Sequence, residues 1–447
     1  MRRTLIHGAT IVNEGASFPG SVVIEGDVIR DVMRGDVSPD GDFDRVLDAH
    51  GHLLIPGAID CHVHFRDPGL THKADIATES AAAAAGGVTS YMDMPNCVPQ
   101  TTTLEALEAK MESAAQKSAV NYSFYFGATN SNAPLIRSLD KRHVCGVKVF
   151  MGASTGNMLV DRIEALRTVF SSAGMIIAAH CEDQRVISRN MRLYRERYGD
   201  DPDISFHPLI RSEEACFESS CLAVRLAYEE DARLHVLHVS TAIELTRFCG
   251  DIPLADKRIT AEACIPHLMF YDEDYARLGS RIKCNPSIKT CRDRNALRKA
   301  LSTGVIDTVG TDHAPHLLSE KVGGAYKAVS GMPSIQFSVV SMMELVRDGV
   351  LTVEEMVRKM CHNPAIIYNV HGRGFIRPGY KADLVLIDPD CPWTVTSDCV
   401  LSKCGWSPME GMTFHARVEK TFVNGEEVYD GVNVRPTVRG QALVFDR

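Results

Sequence analysis

Two histidines one residue apart, His62-Val63-His64, close an apolar run that reads Leu53-Leu54-Ile55-Pro56-Gly57-Ala58-Ile59-Asp60. Residues i and i+2 of a strand share a face, so both imidazoles can be presented together. Neutral imidazole is a common zinc ligand, and this spacing suits two ligands on one metal. Alone, the pair is also what exposed polar alternation produces. Three further apolar runs lead to candidate ligands: His180 after Met175-Ile176-Ile177-Ala178-Ala179, His238 after Leu234-His235-Val236-Leu237, and Asp312 after Val305-Ile306-Asp307-Thr308-Val309-Gly310-Thr311. Taken singly, each is a hydrogen-bonded buried histidine or a helix-capping aspartate. Candidates at the same end of four different strands make the set a metal site instead. Lys148, inside Gly146-Val147-Lys148-Val149-Phe150-Met151, costs desolvation unless it is paired, snorkels to water or is modified. Arg66 lies on the His64 side of the chain if the extended geometry persists. Its guanidinium can hold a carboxylate with two parallel hydrogen bonds; the alternative is an ion pair with Asp67 or Asp60.

The elements that must position these residues are short apolar runs alternating with helical stretches. Strands are expected at 55–65, 88–94, 121–128, 146–151, 175–180, 234–239, 259–262 and 305–310. Helices are expected at 74–85, 104–117, 162–171, 212–229 and 242–249. Eight strands with helices between them predict an α/β fold built on a (β/α)8 TIM-type barrel, whose chemistry gathers at the C-terminal strand ends. Both ends of the chain differ from this middle. They read as short strands with turns, including the hairpin signal Asn424-Gly425. Neither end can bury a core alone, so the two are expected to combine into a small β-sandwich domain. The division is then 1–54 and 376–447 for the β-domain and 55–375 for the barrel.

A formal net charge of −9 argues against nucleic-acid or anionic-membrane partners, so an acidic ligand would need locally placed cations. No signal peptide or membrane span is legible. The 14 cysteines are scattered singly, which suits reduced thiols in a cytoplasm. Cys61 and Cys181 neighbour candidate ligands but, on strands, should face the other way.

The stretch His62-Val63-His64-Phe65-Arg66-Asp67-Pro68-Gly69 resembles the signature of the cyclic amidohydrolases, in its dihydroorotase form. Gly310-Thr311-Asp312-His313-Ala314-Pro315-His316, Asp93-Met94-Pro95-Asn96 and His180-Cys181-Glu182-Asp183 match that family in the expected order. The resemblance covers essentially the whole chain. It implies two zinc ions, with His62, His64 and Asp312 on one and His180 and His238 on the other. It also implies a bridge by Lys148 carboxylated with carbon dioxide. Asp312 would move the proton, and Arg66, Asn96, Asn285 and His316 would hold a small acidic substrate, dihydroorotate or N-carbamoyl-L-aspartate, as in pyrimidine biosynthesis. A homodimer is one assembly such an enzyme could form.

Two stretches depart from the family's pattern. The usual Asn-Pro-Pro-Leu-Arg is Asn285-Pro286-Ser287-Ile288-Lys289, and Gly331-Met332-Pro333-Ser334-Ile335-Gln336 also differs. Thr155, in the small polar loop after the Lys148 strand, is a candidate substrate contact, and the long loop from His316 to Gly331 a candidate gate. Competing readings are an allantoinase or dihydropyrimidinase, or a non-catalytic scaffold for aspartate transcarbamoylase.

Overall fold

The computed structural model describes residues 2–35, 41–152 and 158–447. Its centre is one eight-stranded parallel sheet in sequential order: β1 (Ala58–Val63), β2 (Val88–Asp93), β3 (Asn121–Gly127), β4 (Gly146–Phe150), β5 (Ile177–His180), β6 (Leu234–Val236), β7 (Ile259–Cys264) and β8 (Thr308–Gly310). A parallel bridge from Val63 to His313 brings the two edges together, which closes the barrel. β1 to β5 are buried along their whole length. That double-sided burial is why they read as continuous apolar runs rather than alternating ones.

Helices sit between the strands. Ile76–Ala85 starts on a capping box made by Asp75 and Thr78, and its Ala82, Ala83 and Ala84 are fully buried. Small side chains let this helix close on the barrel: a Cβ on the adjoining Gly86 would meet Ile335 O at 2.3 Å. Leu104–Lys117, Ile163–Ser172 and Glu213–Glu229 lie where the periodicity places them.

Two connections differ from expectation. The helix expected over 242–249 is only a 3-10 turn, Glu244–Arg247. The buried Glu244 carboxylate accepts from Ser240 N, Thr241 N and Thr241 Oγ1, and this local network competes with a helical start. The chain also folds Gln184–Tyr198 into a helix capped by Asp183, whose five arginines obscure the buried face carried by Val186, Ile187 and Asn190. β6 ends at Val236, short of the expected 239, because His238 turns into the left-handed region (φ 39°).

The two ends of the chain build a second sheet together. Its order is Glu426–Tyr429, Arg417–Val423, Leu384–Asp388, Leu53–Pro56, Arg3–Asn13, Ala16–Glu25, Val28–Arg34, with Arg45–Asp48 alongside Arg3–Asn13. Ile6, Ile11, Val22, Ile24, Leu54, Leu384, Leu386 and Phe422 form its own apolar core. Asn424 and Gly425 both take positive φ (50° and 79°), as a two-residue hairpin turn requires.

Sheet and barrel meet in a buried polar knot. Arg373 pairs with Asp383, and Asp383 accepts from Asn121 Nδ2 at 3.1 Å and from Asn424 N at 2.8 Å. The segment at 440–445 returns to the start of β3, where Leu443 N donates to Tyr122 O at 2.8 Å and Tyr122 N to Gln441 O at 3.1 Å. No helix among the described residues is long and apolar enough to cross a membrane.

Candidate metal centre

At the strand ends opens a cavity of about 440 Å³. His62, His64, Lys148, His180, His238 and Asp312, brought from β1, β4 and β5 and the turns after β1, β6 and β8, all line it. So do Arg66, Asn96, Asn285 and His316. Thr155 lies outside the described residues. Cys61 packs in an apolar cluster with Tyr125 and Tyr368, Cys181 packs in the main core, and neither reaches the cavity.

The donor atoms fit a cation. His62 Nδ1 lies 2.7 Å from Glu262 Oε1, and His64 Nδ1 lies 2.6 Å from Asn96 Oδ1. Each acceptor claims the ring proton, so each Nε2 keeps its lone pair. Those Nε2 atoms stand 3.3 and 3.1 Å from Asp312 Oδ1. Three electron-pair donors thus converge without a proton between them, the arrangement a metal ion resolves. The second group repeats the logic. His180 Nε2 lies 2.8 Å from Glu182 Oε2, and Arg211 clamps that carboxylate. His180 Nδ1 is left facing His238 Nε2 at 2.9 Å, while buried His238 Nδ1 has no hydrogen-bond partner among the described residues.

Burial dominates the electrostatics. It depresses the Lys148 ammonium to about 8 against the opposing pull of Asp312 and Glu262, and depresses His64 to about 4. Burial would raise Asp312, but His62 and His64 outweigh it and hold its carboxyl at about 2. Glu262 and Glu182 are likewise desolvated yet held well below the usual carboxylate range, Glu262 chiefly by His62 and Glu182 chiefly by Arg211. Arg66, His238 and Asp312 adopt left-handed backbone (φ 66°, 39° and 47°). Such strain costs about 1–3 kcal/mol per residue and persists only where the surroundings over-determine it. Beside Asp312, Thr311 does so by giving both its N–H and its hydroxyl to Asp60.

Arg66 is 8% exposed, and no described carboxylate lies within ion-pair range of it. Asp67 pairs instead with Lys117 at 2.9 Å, and Asp60 accepts from Thr311 at 2.6 Å. The guanidinium Nε donates to Pro315 O at 3.2 Å, and Nη2 stands 3.0 Å from His316 Nε2. Asn285 adds to the cavity wall a buried Oδ1 that has no hydrogen-bond partner among the described residues. Of the departing stretch, Ser287 donates to Arg211 O and Lys289 Nζ turns back on Ser287 Oγ, so neither lines the cavity. The long loop does form cavity wall, with Ala325, Tyr326, Val329 and Gly331. Lys321 Nζ holds it in place by donating to the carbonyls of Lys283, Val329 and Gly331.

Sequence reading missed Glu262, Glu182, Arg211 and Lys321. A signal existed for the two acids: Glu182 stands two residues past His180, and Glu262 falls within the apolar seventh strand.

The chain resembles known proteins over most of its length. A dihydro-orotase-like family model matches residues 51–134, and an amidohydrolase family model matches 224–428. A dihydroorotase of Methanosarcina acetivorans is 33% identical over 414 residues, 90% of this chain and 87% of that protein. An allantoinase of Bacillus velezensis is 31% identical over 436 residues, 95% and 93% of the two chains. The L-hydantoinase structure from Arthrobacter aurescens superposes with a TM-score of 0.91 at 26% identity, covering 97% of this chain and 98% of that one. The chain belongs to the amidohydrolase family, and within it to the dihydroorotase-like cyclic amidohydrolases.

Proposed function

We propose that this enzyme is a dihydroorotase, which interconverts N-carbamoyl-L-aspartate and L-dihydroorotate in pyrimidine biosynthesis. Buried Arg66, beside the candidate ligands and without a carboxylate of its own, carries this reading. A ring that bears a carboxylate supplies the missing anion. The uncharged rings of allantoin and hydantoin leave the guanidinium unmatched.

Two zinc ions are the proposed cofactor, held by His62, His64 and Asp312 and by His180 and His238, with carboxylated Lys148 between them. Lys148 is 1% exposed, and no described carboxylate lies within ion-pair range of it. Carboxylation turns that costly buried ammonium into an anionic ligand. Bound zinc would acidify the attacking water and polarise the amide carbonyl. Asp312 accepts the water's proton during ring opening and returns it to the departing ring nitrogen; for ring closure it begins protonated. Arg66 and His316 hold the ring carboxylate, while Asn96 and Asn285 contact the amide edge. The 14 free cysteines suit a reducing cytoplasm.

The test compares substrates on the purified zinc-loaded enzyme. Dihydroorotate is expected to turn over faster than allantoin, hydantoin or dihydrouracil, and the opposite order overturns the proposal. Arg66→Met should raise KM for dihydroorotate by about 10- to 100-fold with zinc content unchanged.

A further inference from the structure

Next to Arg66, cations crowd a single imidazole. His316 Nε2 lies 3.0 Å from Arg66 Nη2, and His316 Nδ1 lies 3.0 Å from Lys73 Nζ. Lys73 stands in the loop between β1 and the helix Ile76–Ala85 and is 6% exposed, yet it does not line the cavity. Its ammonium pairs at 3.0 Å with Glu320, whose other oxygen is 3.4 Å from His316 Nδ1.

A neutral imidazole offers one lone pair and one N–H, whereas ammonium and guanidinium groups only donate. Only one of the two contacts to His316 can therefore be a hydrogen bond. Burial and the charges of Arg66 and Lys73 keep the ring neutral, so a second ring proton is no escape. Nor can the ring move aside freely. On one side it is close to Gly331 (φ 128°), where a Cβ would approach His316 Cδ2 to 2.9 Å.

Two tautomers remain. With the lone pair on Nε2, His316 accepts from Arg66, and its Nδ1–H faces the ammonium at 3.0 Å with the more distant Glu320 Oε2, at 3.4 Å, as its acceptor. With the lone pair on Nδ1, Lys73 donates to the ring and to Glu320 together. Nε2–H then stands 3.0 Å from Arg66 Nη2, two donors side by side on residues that line the cavity. Among the described residues that second arrangement has no acceptor at its cavity end, and an incoming carboxylate supplies one.

We propose that Lys73, braced by Glu320, is a specificity-determining positioning residue: it fixes the Nε2–H tautomer of His316, so that His316 and Arg66 form a two-pronged donor for the substrate carboxylate. The substrate half of this inference rests on the dihydroorotase reading; the tautomer half does not.

The test uses the zinc-loaded enzyme with ¹⁵N-labelled histidine, together with Lys73→Met and Lys73→Arg. Long-range ¹H–¹⁵N spectra are expected to show Nε2–H for His316 in the wild type and Nδ1–H in Lys73→Met. In that variant KM for dihydroorotate rises about tenfold while kcat and zinc content hold, and Lys73→Arg recovers both the tautomer and KM. Should Lys73→Met fail to fold, Glu320→Ala, at a partly exposed site, is expected to raise KM in the same direction by less. An Nδ1–H wild type, or a Lys73→Met enzyme that loses kcat and zinc with KM unmoved, overturns the proposal. A wild type that hydrolyses no dihydroorotate yet shows Nε2–H removes the dihydroorotase reading and keeps the Lys73–His316 assignment.

Discussion

Glu262 ties together two strands' contributions to the candidate metal site. One of its oxygens lies 2.7 Å from His62 Nδ1, accepts His238 N at 3.2 Å and is 3.3 Å from Cys264 Sγ. A carboxylate in that place sets the His62 tautomer and adds negative charge behind the ligand. Glu262→Gln should weaken zinc binding about 10- to 100-fold in a chelator competition. Unchanged affinity would reduce Glu262 to a packing role. Asp312→Asn should cost about 10²–10⁴ in kcat, read in a dihydroorotate assay alongside a circular dichroism spectrum that stays native. The candidate ligands, Lys148 apart, were legible because each lies near or just past the end of an apolar strand, a pattern visible within ten residues. Glu262 was not, since its partner His62 is 200 positions away and nothing in either neighbourhood announces the pairing. Arg66 shows the same limit: adjacent Asp67 looked a natural partner until folding gave that carboxylate to Lys117, 50 positions on.

Among the elements, the loop from His316 to Gly331 depends on one buried cation. Lys321 donates to the carbonyls of residues 283, 329 and 331 at 3.0, 2.7 and 2.7 Å. Burial lowers its ammonium to about 7, so these carbonyls are its compensation. Lys321→Met leaves three acceptors without their donor, each worth about 1–3 kcal/mol if it stays buried. Faster limited proteolysis within 322–330 and a higher KM are expected. An unaltered cleavage pattern would show that the loop holds itself. Barrel strands were readable because double-sided burial writes itself as apolar runs. The arginine-rich helix Gln184–Tyr198 was not, because its cap and three buried residues are outnumbered by polar ones. The segment 242–249 misled for the converse reason. Its helical composition is overruled by a buried Glu244 that satisfies the local backbone.

For the whole molecule, the joint between barrel and terminal sheet is polar and buried. Arg373 and Asp383 are 5% and 3% exposed. Removing one partner strands the other charge, so Asp383→Ala should cost about 3–5 kcal/mol. Calorimetry is expected to show a single transition at lower Tm, because Asn121 and Asn424 lose an anchor on both sides of the joint. Two separated transitions would mean that the halves fold independently. That the ends of the chain combine was legible from their size, since neither could bury a core alone. How they attach was not, because the knot unites residues 121, 373, 383 and 424 and no local pattern spans such distances.

The returning segment at 440–445 has a bearing on how the protein is made. Gln441 N donates to Asn121 Oδ1 across 320 positions of sequence. At about 5–20 residues per second, ribosomes would need on the order of tens of seconds between the two. Throughout that interval the start of the nascent third strand lacks the segment that finally bonds to Tyr122. A waiting strand edge is a target for chaperones and a hazard for aggregation. Slow codons or a stall ahead of 440 would prolong the exposure of the start of a central barrel strand.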